Sequence, residues 1–399
     1  MNKKIIKLIP MLGPGWIVMM ADMDAPSAIT AIQSGAQFQG HLIIFLIILI
    51  FPLFLVQDTA SRVGAVTGKT LGKIATENFG HAWTVFAVSG SAIIDFAAYV
   101  GEFAGIAVAG LILGIPVIYT VLAILALHTI IALAGLYKKI EAFLVGLGML
   151  LFLFVIIDFF IHPGNVSIGN FSPFIGKPSF LYLIAANIGA VIMPWMLFFH
   201  QAADVDRGLT MNEMKRESKG SLIGAVVSEI LMISIVIFSW KLAKDEMIDG
   251  SSVQAVASSL GQLIGPIGPI IFAVALGTAG LLAMFVISMS MSYSISDALK
   301  IKGSFNVKPM KGKLFYVIYF TEIIPAGILT LLYSNMINLA LTVMVLSSMA
   351  LVLPLLTVIR VASNKEIMGK HVISRVRTVS LYVIMILSFA AGLISIITG

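Results

Sequence analysis

The chain alternates long apolar runs with short charged segments. A helix needs about 20 apolar residues to cross the hydrocarbon core of a bilayer. Eleven runs are long enough: 8–36, 40–62, 83–113, 115–136, 140–161, 179–202, 220–243, 266–297, 313–333, 336–359 and 376–398. The polar stretches between them are too short to fold as a separate domain. The pattern predicts an all-α integral membrane protein with 11 transmembrane helices and one membrane transport domain over residues 1–399.

Composition agrees. Of the 399 residues 59% are hydrophobic and 11% charged, against about a quarter charged in a soluble domain. There are no cysteines, which excludes disulfides and thiolate metal sites. The formal charge of +6 does not point to nucleic acid, because membrane proteins collect Lys and Arg in cytoplasmic loops. With the amino terminus inside, the cytoplasmic segments hold 22 of the 25 Lys and Arg residues, and Lys177, Lys241 and Lys244 are the outside remainder. That asymmetry predicts a multi-pass protein of the cell (inner) membrane, with the amino terminus cytoplasmic and the carboxyl terminus extracytoplasmic. The first apolar run follows Lys3, Lys4 and Lys7 and lacks a clear small-residue cleavage site, so no signal peptide is expected.

Two of the runs are interrupted. The first carries Gly13-Pro14-Gly15-Trp16 and then Asp22-Met23-Asp24-Ala25-Pro26-Ser27. Proline lacks an N–H and clashes with the preceding turn, so a break is predicted near Asp22–Ala25. A break at membrane depth survives only where it lines a cavity or is buried in protein. The sixth run repeats the device at Gly189-Ala190-Val191-Ile192-Met193-Pro194-Trp195. Runs one and six are equivalent if five helices are repeated upside down, over 1–161 and 179–360, with 376–398 as an extra helix. Paired interrupted helices at matching positions are the best sequence pointer to a transporter's binding site.

Ionisable residues inside the runs include Asp22, Asp24, Asp58, Asp95, Glu102, His128, Asp158, His200, Glu229 and Glu322, with no Lys or Arg clearly mid-span. Each acid there is costly unless paired, protonated or hydrated, and an acidic interior without fixed cations favours a cationic substrate. Asp58 and Asp158 lie near span ends, where snorkelling to the interface is expected, and His128 reads as a satisfied packing residue. No arrangement of nucleophile and base and no phosphate loop is present. Thr67-Gly68-Lys69 lacks the earlier glycine of a P-loop, so an enzyme is not expected.

These residues resemble the Nramp family of divalent-metal transporters. The similarity runs through Gly13-Pro14, Gln57 with Arg62 to Lys69, Glu102-Phe103-Ala104-Gly105, Lys139-Ile140-Glu141, and Gly189 to Pro194 with His200. The resemblance implies a LeuT-type fold with a 5+5 inverted repeat and helices 1 and 6 interrupted. It also implies alternating access and a metal held by Asp24, Met193 and the Ala190 carbonyl. No cofactor is expected, the divalent metal or small ion being the substrate. The expected partners are the transported ion and the lipid bilayer, with no nucleic acid, and the chain is expected to be a monomer.

The departures fall on functional positions. Ser27 stands where the family has an asparagine ligand, and Trp195 and Met196 stand where it has histidine and asparagine. A hydroxyl is a shorter donor than an amide carbonyl, and an indole cannot relay protons as histidine can. Tyr99 replaces an expected acid, and the arginine expected on helix nine is not evident. Asp22, Asp95 and Glu229 are added acids. The substrate-binding candidates are Asp24, Ser27, Ala190, Met193, Asp22, Trp195 and Gln57. The coupling or relay candidates are Glu102, His200, Tyr99, Glu229 and Asp95. The reading is a secondary transporter of Mn2+ or Fe2+ type with altered or absent proton coupling (symport). A carrier of Mg2+, or of a small anion such as bicarbonate held at half-helix N-termini, is the alternative.

Overall fold

A computed structural model describes residues 13–133, 137–161, 174–244, 253–301, 311–332 and 336–398. The amino-terminal lysines and most of the 298–313 loop lie outside the described residues. Among the described residues every regular element is helical. In chain order the helices used below are α1 (Pro14–Asp22), α2 (Ala25–Phe38), α3 (Ile43–Thr67), α4 (Leu71–Phe79), α5 (His81–Ile112), α6 (Val117–Leu133), α7 (Tyr137–Leu150), α8 (Leu153–Ile161), α9 (Pro178–Val191), α10 (Pro194–Arg207), α11 (Met214–Lys244), α12 (Val253–Ile264), α13 (Ile267–Ala298), α14 (Lys313–Phe320), α15 (Ile323–Leu332), α16 (Met336–Ala350), α17 (Val352–Ala362) and α18 (Arg375–Thr398).

Nine stretches among the described residues are long and apolar enough to cross a membrane. The difference from eleven has two sources. α2 and α3 run on through one short 3-10 turn and count as a single stretch, Ala25–Thr67, and the apolar part of α6 is too short to qualify. The broken helices sit at the centre. The half-helices α1 and α2 pack against α11, and α2 also meets α5, α9, α13 and α16. α10 packs on α3 and α13, and α9 on α16 and α18.

Small residues make these approaches possible, as is usual where lipid supplies no hydrophobic drive between helices. At Gly105 of α5 an added Cβ would fall 2.2 Å from the Ala25 Cβ, and at Gly189 of α9 it would land on the Met344 carbonyl of α16. The outer helix α18 is tied in by charge. Arg377 donates to the buried Asp58 carboxylate of α3 at 2.5 Å, and Arg62 stands 3.9 Å away. Asp58 therefore corrects the snorkelling expectation: it is an internal ion pair. Asp158 is half-buried near the end of α8, as expected for a residue reaching the interface.

Candidate functional site

Both breaks are present, and each is built by its proline in an unexpected way. Pro26 does not interrupt a helix. It occupies the first turn of α2, where its missing N–H is not needed. The unwound residues are Met23 and Asp24, and Asp24 caps α2 by accepting the Ser27 backbone N–H at 2.7 Å. Such a cap satisfies one of the orphan donors that every helix start exposes. In the second break, Pro194 opens α10 and Ile192-Met193 are unwound. Each break thus leaves a helix N-terminus, at Ala25 and at Pro194, inside the protein.

The side chains at the breaks are shut away from solvent. Asp22, Asp24, Ser27, Ala190, Met193 and Trp195 are all at most 1% exposed. Ser27 Oγ donates to the Ala190 carbonyl at 3.1 Å, joining α2 to α9. The Trp195 indole N–H points at the Met193 sulfur at 3.1 Å, and Ser290 Oγ donates to the Trp195 carbonyl at 2.9 Å. All three groups implied as metal ligands therefore carry an internal donor, Asp24 on its Oδ1 alone. Asp24 differs, since its second oxygen, Oδ2, accepts no hydrogen bond among the described residues.

Three further carboxyl groups surround Asp24. Glu102 of α5 accepts the Ala25 backbone N–H at 3.1 Å and stands close enough to Asp24 to interact electrostatically. Asp22 ends α1 and feels both Asp24 and Glu229 of α11. Ser228 is near Asp22, but its proton goes to the Ala225 carbonyl at 3.2 Å. The unwound pair lets Asp22 and Asp24 face the same interior, which residues two apart on an intact helix cannot do. Among the described residues no Lys or Arg forms an ion pair with Asp22, Asp24, Glu102 or Glu229.

The remaining candidates fall elsewhere. Asp95 and Tyr99 lie on the Glu102 face of α5 and share a buried pocket with Glu322, which feels Asp95. His128 closes that pocket, stacked on Phe285 at 4.2 Å and next to Tyr319 at 5.3 Å. It packs as expected, but neither ring nitrogen has a hydrogen-bond partner among the described residues, so it is not the satisfied residue the sequence suggested. Gln57 of α3 is buried against α10. Its Oε1 meets His200 Nδ1 at 3.1 Å, two turns along α10. Around His200 stand two acids that sequence reasoning missed, Asp204 and Glu217. The sixth and seventh spans were read as ending at 202 and beginning at 220, whereas α10 continues to Arg207 and α11 begins at Met214. The i, i+4 spacing of His200 and Asp204 was the available signal.

With this geometry in hand, comparison with known proteins is decisive for the family. A family model described as "Natural resistance-associated macrophage protein-like" (Nramp) matches residues 15–398. The chain belongs to the Nramp family. This Nramp chain is similar to the Divalent metal cation transporter MntH of Bacillus subtilis, 26% identical over 98% of this chain and 92% of the relative. It is also similar to the MntH of Deinococcus radiodurans, 22% identical over 71% and 68% of the two chains. Among solved structures, the Eremococcus coleocola manganese transporter superposes with a TM-score of 0.78 at 19% identity, covering 99% of this chain and 88% of that one. A Na+-coupled sialic acid symporter superposes with a TM-score of 0.60 at 12% identity, covering 96% and 88%. The fold is thus the LeuT-type transporter fold with interrupted helices, in a multi-pass membrane protein. The relatives carry the names of transporters, not of enzymes.

Proposed function

We propose that this Nramp chain moves a divalent metal cation of Mn2+ or Fe2+ type across a cell (inner) membrane by alternating access around the two breaks. The observation that carries the reading is a fully buried group of four carboxylates, Asp22, Asp24, Glu102 and Glu229, with no paired Lys or Arg among the described residues. Buried charge without a partner costs several kcal/mol, and a divalent cation is the partner that offsets it. The relatives named as divalent metal cation transporters support the same conclusion. The anion alternative is opposed by these four acids, and Mg2+ gains no support from the relatives' names.

In this reading Asp24 Oδ2 is the entry ligand, since it alone among the implied ligands is unoccupied. Ser27 must release the Ala190 carbonyl, and Trp195 must turn from Met193, before those two groups bind the ion. Ligand exchange of this kind couples ion capture to a change at both half-helices. The thioether favours a transition metal over Ca2+ or Mg2+, which prefer oxygen. Glu102, His200, Tyr99, Glu229 and Asp95 are the coupling groups of this reading, and with Tyr99 in place of an acid the proton coupling is altered or absent. We infer eleven crossings, the two five-helix repeats at 1–161 and 179–360, a cytoplasmic amino terminus and an extracytoplasmic carboxyl terminus from the charge pattern and the matched breaks.

The test is Mn2+ uptake into proteoliposomes loaded with a quenchable fluorophore. Wild-type protein is expected to quench in a saturable manner and Asp24→Ala to be inactive. Uptake by Asp24→Ala at the wild-type rate would exclude the break as the transport site.

A further inference from the structure

A second buried constellation lies at the Arg207 end of α10. His200 Nε2 stands 3.5 Å from Asp204 Oδ2 and 3.6 Å from Glu217 Oε1, at ion-pair distance from both when the ring is protonated. The three donor atoms lie within 4.8 Å of one another. His200 and Asp204 are wholly buried, and Glu217 is 7% exposed. The imidazole Nε2 has no hydrogen-bond partner among the described residues, although it points at both carboxylates. The hydroxyl of Ser221, equally unpartnered, borders the same space next to Glu217 and His200.

The surroundings of each group hold it in a ligand's attitude. Gln57 Oε1 accepts only, so at 3.1 Å it takes the proton of His200 Nδ1. In the neutral ring this leaves the lone pair on Nε2, facing the two carboxylates, the arrangement in which a ring N–H given to an oxygen orients a metal-binding histidine. Ser61 Oγ donates to Asp204 Oδ2 at 2.5 Å, and Asp204 Oδ1 is unoccupied. Glu217 Oε1 accepts the Gly15 N–H at 2.7 Å and so caps α1, with Arg207 3.9 Å from its other oxygen. Gly15 is required here, because a Cβ would press on Ser221, Glu217 and His200 together.

We propose that His200, Asp204 and Glu217 form a second divalent-cation site, for a transition metal, distinct from the break. One imidazole nitrogen with two carboxylate oxygens suits Mn2+, Fe2+ or Zn2+. Ligand atoms about 2.1 Å from a four-coordinate ion stand roughly 3.4 Å apart, close to the separations between His200 and its two acids. Met193 and His200 are seven positions apart, about 10 Å of helix. The same half-helix that opens at the break therefore carries this second station two turns further on. A polar cleft lined by Arg207, Leu209, Glu213, Arg216 and Glu217 reaches the site at Glu217. Because Glu217 also caps α1, an ion here bears on the half-helix that leads into the first break.

The experiment uses the full chain in detergent with Mn2+ as the probe. Equilibrium binding is expected to give two Mn2+ per wild-type chain and one in Asp24→Asn. Adding Asp204→Asn to Asp24→Asn should weaken the residual binding at least tenfold. Pulsed EPR with 15N-labelled histidine reads the site directly in the wild type, since among the described residues no histidine lies in the unwound segments of the breaks. Histidine nitrogen coupling to Mn2+ is expected, and its loss in His200→Gln. A wild-type chain that binds Mn2+ without histidine coupling would overturn the proposal while leaving the break reading intact. Histidine coupling that persists with full binding in Asp24→Asn would instead count against the break alone.

Discussion

Gly105 tests the idea that α5 positions Glu102 at the break. An alanine there would put its Cβ 2.2 Å from the Ala25 Cβ, whereas carbon atoms pack at about 3.5–4.0 Å. α5 must therefore back away by about 1.5 Å. Glu102 lies one turn earlier on the same face, so its 3.1 Å bond from the Ala25 N–H would stretch to about 4.5 Å and break. Losing that bond costs about 1–3 kcal/mol and overpacking about 1–3 kcal/mol. The helix-propensity gain of alanine over glycine returns about 1 kcal/mol, leaving a net cost of about 3 kcal/mol. Thermal unfolding in detergent should show a midpoint lower by about 3–4 °C, and Mn2+ uptake should slow because Glu102 has left the break. Gly277→Ala is the matched control, since its Cβ would meet Ala109 at an ordinary 3.6 Å. If the two variants unfold and transport alike, the argument that this close approach sets Glu102 is wrong.

Three further outcomes are expected. Arg377→Leu leaves the buried Asp58 carboxylate with only the more distant Arg62. It should lose about 3 kcal/mol, the low end for breaking a buried pair because Arg377 is partly exposed, and Arg377→Leu/Asp58→Asn should recover most of the lost melting temperature. Trp195→Phe removes the N–H held at 3.1 Å from the Met193 sulfur. A hydrogen bond of about 1 kcal/mol then no longer competes with a soft ion, so Cd2+ should bind about fivefold tighter by calorimetry, and unchanged affinity would mean Met193 is not a ligand. Gly189→Ala should yield no folded protein on size-exclusion chromatography, because the new Cβ would overlap the Met344 carbonyl, which cannot rotate away.

The membrane-spanning pattern and both breaks were legible in the sequence because each depends on contiguous residues. A span is a matter of apolar length, and a proline removes a backbone donor wherever it stands. Asp24 was legible for the same reason, as an acid beside a break. Tertiary structure alone decided who meets whom: Ser27 with Ala190, Trp195 with Met193, and Asp58 with Arg377, 319 positions apart. It also brought Asp204 and Glu217 to His200, which the span boundaries at 202 and 220 had hidden. Such pairings depend on how each helix is rotated about its axis. With 59% hydrophobic residues and lipid on the outside, apolar side chains face outward as well as inward, so the one-sided stripe that reveals a soluble helix's buried face is missing. Local backbone chemistry fixed where the helices break, and only the packing of distant helices fixed which side chains occupy the breaks.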